Sequence, residues 1–138
     1  MNPSSGHSLT STSIDIESRH ISLLSEQLDM LYQAFKSERM AIAQWEEDQE
    51  FSILGVLELF STEVQGYAEQ IKLGQFTSPL AHSVDHLRQL NLFRIDYFVN
   101  WYFQNLEQYP QTKQYIEGLD HLRLSMLECL NNRLSAAA

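Results

Sequence analysis

The chain has a single cysteine, Cys129, and only three prolines and five glycines in 138 residues. One thiol makes no internal disulfide, and it lacks the paired spacing of a metal knuckle. Basic residues are also scarce: nine Lys and Arg stand against 18 Asp and Glu, for a formal net charge of -9. Those nine are scattered along the chain with no cluster. A nucleic-acid surface needs a basic patch to displace counterions, so no nucleic acid is expected as a partner. The same repulsion disfavours an anionic membrane surface. No run approaches the 18 or so uninterrupted apolar residues that span a bilayer. The opening MNPSSGHSLTSTSI has no basic region followed by an apolar run. No secretory signal is therefore expected, and the cytoplasm is the expected compartment. There is no Gly-rich phosphate loop, no nucleophile elbow and no nucleophile–base pair. The expected role is non-enzymatic.

What is there reads as a folded, all-α domain. Apolar residues make up 43% and charged residues 20%, an ordinary globular balance. Residues 1–13 carry Pro, Gly and many Ser/Thr without periodicity and read as a flexible N-terminal tail. Residues 14–135 read as one helical-bundle domain. From His7 to Leu54 there is no Gly or Pro. Within that span Ile21, Leu24, Leu28, Leu31 and Phe35 recur every three or four residues, which marks a helix. Ile42 and Trp45 continue the stripe. Phe51, Ile53, Val56, Leu57, Phe60, Val64, Tyr67 and Ile71 form a second one, closed by Lys72 and Gly74. A turn between the two is expected between Ser37 and Glu46, unless they form one long bent helix. A third helix is predicted from Thr77-Ser78-Pro79 to about Gln108. A fourth is predicted over Gln111 to Leu134, with Tyr115, Ile116, Leu119, Leu122, Met126, Leu127 and Leu130 on its inner face. Four amphipathic helices with short connections predict an antiparallel bundle.

The third segment carries the candidate site. Nine of the twelve residues from Leu92 to Phe103 are apolar or aromatic. On one straight helix they divide into two stripes. Leu92, Ile95, Phe98, Val99, Tyr102, Phe103 and Leu106 serve the core. Leu90, Phe93, Tyr97 and Trp101, bordered by Arg94, make a second face. Tyr, Trp and Arg dominate interface energetics, so this face is read as a surface for a protein partner. A second copy of the chain, in a homodimer, is its cheapest occupant. Burial of the helix on both sides is the competing explanation.

His82 and His86 lie one turn apart, and two such imidazoles chelate zinc, copper or haem iron. The alternative reading is thus a metal- or haem-binding sensor using His82 and His86, although no cofactor is expected on the main reading. A di-metal carboxylate bundle fails on its motif: Glu17-Ser18-Arg19-His20 matches Glu-x-x-His, but neither His82 nor His121 has a glutamate three residues before it. Asp-His-Leu-Arg occurs twice, at Asp85–Arg88 and Asp120–Arg123, each a helix-surface ion pair. Finally, Phe60, Tyr67, Gly74 and Phe76 are loosely similar to the second helix and following turn of regulator-of-sigma-D type anti-sigma proteins. The likeness covers a short segment, and it carries over no residue role.

Overall fold

A computed structural model describes the backbone over residues 3–137 and the side chains over residues 16–136. The tail expected over residues 1–13 lies outside the residues whose side chains are described. Among the described residues there is no strand. The elements are α1 (Pro3–Glu46), α2 (Ile53–Leu73), α3 (Leu80–Gln89), a 3-10 turn (Leu92–Arg94), α4 (Asp96–Asn105) and α5 (Pro110–Ala137).

The long helix α1 is the spine. Ile21, Leu28, Phe35 and Ile42, seven residues apart, are all buried. That period holds one stripe against neighbouring helices over many turns. The stripe packs on α5, where Tyr115, Ile116, Leu119, Leu122, Met126 and Leu130 are buried, and on Leu57, Val64, Ala68 and Ile71 of α2. Tyr32, Phe35 and Tyr115 interlock, the last two stacked at 5.1 Å. Glu17 of α1 meets Cys129 of α5, whereas Glu38 meets Thr112, so these two helices run in opposite directions.

Two glutamates of α1 also organise the starts of other helices. The first N–H groups of a helix have no intrahelical acceptor and favour negative charge. Glu38 accepts from the backbone N–H groups of Gln111 and Thr112, at 3.1 and 2.7 Å, and from the Thr112 hydroxyl. Glu46 accepts from Ile53 and Leu54, at 2.8 and 3.2 Å, and from the Ser52 hydroxyl. Ser52 in turn accepts from the Gly55 N–H as the N-cap of α2. The turn after α1 therefore falls at residues 47–52, later than the predicted window of Ser37 to Glu46. Lys36 and Arg39, basic residues that would suit a helix end, lie inside α1. The far end of α2 is as predicted: Gly74 adopts φ +67° and closes the helix, its N–H donating to the Ile71 carbonyl.

The predicted third helix is three pieces. α3 stops at Gln89, Asn91 caps the 3-10 turn by accepting from the Phe93 N–H at 3.0 Å, and Ile95 is extended. The cause is the crowding of apolar residues. A straight helix presents only one stripe to a core, and this segment has two. The break rotates the chain between them, so that Leu90, Leu92, Phe98, Trp101 and Tyr102 all reach the same interior. α3 is fastened from α5: Arg123, buried, donates to Asp120 and to the Leu87 carbonyl near the C-terminus of α3. The other copy of the motif, Asp85 and Arg88, is an exposed pair at 3.8 Å. Identical tetrapeptides thus do different work.

A candidate aromatic interaction surface

The five residues of the predicted face sit on three elements. Leu90 is the C-cap of α3, Phe93 and Arg94 belong to the 3-10 turn, and Tyr97 and Trp101 belong to α4. Leu90 is 5% exposed and lies in the core. Phe93 packs edge-on against Phe98 and Tyr102, while Arg94 is exposed. A single helical face made of all five does not exist, because the helix that would carry it is broken.

Tyr97 and Trp101 remain together, and the structure adds two residues to them. The α1–α2 turn lays Phe51 on Tyr97, stacked at 4.4 Å and 11° between planes. Trp45, in the last turn of α1, meets Trp101 at 6.4 Å. Trp101 is 4% exposed and stacks on Tyr109 from its other neighbours. Its indole Nε1 is buried without an acceptor among the described residues. By contrast Phe51 stays 51% exposed and Trp45 37% exposed. The four aromatics, with Ile53 and the amides of Gln49, Asn100 and Gln104, line a cavity of about 200 Å³. Glu47, Asp48 and Glu50 are exposed in the same turn as Gln49 and Phe51. The result is a half-exposed aromatic surface beside an acidic turn.

Trp45 and Phe51 were legible only as members of apolar stripes. The available signal for Phe51 was local: an apolar residue immediately before a Ser N-cap closes the entrance to a helix and is held near its surface. Its partner Tyr97 lies too far along the chain for any local pattern to reveal.

The histidines have other engagements. His86 Nδ1 lies 2.7 Å from the Tyr67 hydroxyl, and its Nε2 lies 3.7 Å from Glu63. Burial, then the nearby Glu63 carboxylate, hold the Tyr67 hydroxyl above its usual value. His82 is exposed. Among the described residues no three His, Cys, Asp or Glu side chains gather closely enough to hold a metal ion. Among the described residues, too, no helix is long and apolar enough to cross a membrane.

A second, larger cleft of about 550 Å³ opens between α1, α2 and α5. Four of its polar side chains are paired with each other. Tyr115 hydrogen-bonds Ser61, and Arg39 forms an ion pair with Glu58. Burial pushes the Tyr115 hydroxyl up from its ordinary value, so it stays a neutral structural group at physiological pH.

Comparison with protein-family models, with characterised proteins and with solved structures returned no significant match. The short likeness over Phe60, Tyr67, Gly74 and Phe76 therefore gains no support from a family. Each of those residues has a structural use instead. Phe60 packs on the core, Tyr67 holds His86, Gly74 ends α2, and Phe76 lies under the Arg133 guanidinium at 5.9 Å.

Proposed function

We propose that this chain is a non-enzymatic interaction or regulatory protein, an antiparallel helical bundle that captures a basic protein partner on its aromatic end. The observation that carries the reading is Phe51, stacked on Tyr97 yet half in solvent, inside a turn that also presents Glu47, Asp48 and Glu50. Rigid aromatics on a folded scaffold bury large area at small entropic cost, and such residues anchor interfaces. Acidic neighbours steer a basic surface toward them and repel a negative one. The opposed directions of α1 and α5, and the helix starts held by Glu38 and Glu46, support the bundle architecture and the rigidity of that end.

The partner reading narrows the surface expected from sequence. Tyr97 and Trp101 stay in it, Phe51 and Trp45 join it, and Leu90 and Phe93 support it from the interior. The test is a comparison of wild type with Phe51→Glu, a change at a half-exposed position that leaves the core intact. A basic partner retained by the wild type should be lost by the variant, and the loss should reproduce with both components purified. Equal retention by a folded Phe51→Glu chain would defeat the proposal.

A further inference from the structure

The cavity on the aromatic end has a chemistry more specific than that of an apolar patch. Trp45, Phe51, Tyr97 and Trp101 contribute four ring systems to one space of about 200 Å³. That is smaller than the roughly 300–1,000 Å³ of pockets that take drug-sized ligands, and it suits one inserted side chain. Aromatic faces carry the negative end of the ring quadrupole and attract cations. The remaining polar lining is amide. Gln49, Asn100 and Gln104 each bring a carbonyl oxygen that accepts from N–H donors, and among the described lining residues none is Lys, Arg or His. Beside the opening, Glu47, Asp48 and Glu50 raise the local concentration of cationic groups.

We propose that this cavity receives an arginine side chain from the basic partner, held by cation–π and stacking contacts with the exposed rings of Trp45 and Phe51 and by the surrounding amide oxygens. The inference rests on the partner reading above and names the group that the partner inserts. Arginine is preferred to lysine because its guanidinium is planar, lies flat on rings, is weakly hydrated and offers several N–H donors in one plane. An apolar anchor such as leucine would gain nothing from the amide oxygens or from the acidic turn.

The chain carries its own probe, because it has only two tryptophans and both line this cavity. Selective tryptophan emission therefore reports on this site. The full chain is titrated with three peptides, acetyl-Gly-X-Gly-amide, in which X is arginine, citrulline or leucine. Citrulline copies the shape of arginine without the charge. The expected result is a saturable emission change with the arginine peptide, weakened by added salt, and binding of the citrulline peptide at least about fivefold weaker. Phe51→Leu, which keeps apolar bulk and removes a ring, should weaken the arginine peptide by a similar factor with an unchanged circular dichroism spectrum. Equal binding of citrulline, tighter binding of leucine, or no saturable response to arginine would each overturn the proposal. If any of these occurs while a partner is still lost on Phe51→Glu, the arginine cage falls and the partner reading survives. If partner capture is also insensitive to Phe51→Glu, both fall together.

Discussion

Cys129 shows how one buried group ties stability to solution conditions. It lies on α5, 4% exposed, and its thiol donates to the Glu17 carboxylate at 3.1 Å across the α1–α5 contact. Burial, and then that hydrogen bond, push the thiol from its ordinary 9.0 up to about 12. Such a thiol is a poor nucleophile at neutral pH, which fits a packing role. The sign of its effect on stability follows directly. Its folded value lies above the unfolded one, so the folded chain keeps a proton that the unfolded chain releases. The contribution is whole below about pH 9 and drains away as the pH climbs towards about 12. Tyr67, Tyr102 and Tyr115 are shifted upward as well, chiefly by burial, and add to the same alkaline decline. Urea midpoints measured across that alkaline range should fall for the wild type, and should fall less steeply for Cys129→Ala. Parallel slopes for the two proteins would show that the thiol contributes nothing.

Between helices, the decisive contact is the approach of α1 to α5, and Gly118 of α5 faces Leu28 and Leu31 of α1 in it. A Cβ built there would stand 2.7 Å from Leu31 Cδ1 and 3.5 Å from Leu28 Cδ1. Two effects oppose each other in Gly118→Ala. Helix propensity improves by about 1 kcal/mol, while displacing the half-buried tip of Leu31 costs about the same. The alanine variant should therefore unfold within about 1 kcal/mol of wild type. Gly118→Leu has no such balance. Its longer side chain must displace Leu31 and also Leu28, and should destabilise by about 1–3 kcal/mol. Chemical denaturation of the pair of variants checks both numbers, and a leucine variant as stable as wild type would mean that the groove beside Gly118 takes up the side chain. The same scale explains what could be read from the sequence. The stripes of α1, α2 and α5 were legible because period and burial agree residue by residue: Ile21, Leu28, Phe35, Val64, Ile71, Ile116 and Leu122 are all core. The stretch from Leu90 to Phe103 was not legible, because its density of apolar residues satisfied a helical period on two faces at once. Only the third dimension decides which side is covered. The turn after α1 was misplaced for a related reason. Its determinant, the Glu46 carboxylate on the α2 N-terminus, is an end-of-helix residue that looks on paper like any other member of an acidic run.

At the scale of the whole molecule, charge decides who can meet the aromatic end. The formal net charge is -9, and the acidic turn of Glu47, Asp48 and Glu50 adjoins the very aromatics that are exposed. A two-fold homodimer through this surface would bring the patch against its own copy. Each acidic turn would then face acidic surface, and like charges brought together at an interface disfavour the pairing. A basic partner meets no such penalty. Ionic strength separates the two cases, since salt screens repulsion between identical copies as well as attraction to a basic protein. At low salt the chain should scatter light as a monomer of 16.0 kDa across a concentration series. Any self-association should appear only as salt is raised, and should vanish in Phe51→Glu. Capture of a basic partner should show the opposite trend and weaken with salt. A dimer that is already formed at low salt, and that Phe51→Glu converts to a folded monomer, would reassign the aromatic end to self-association. In that event the acidic turn would have to lie outside the contact.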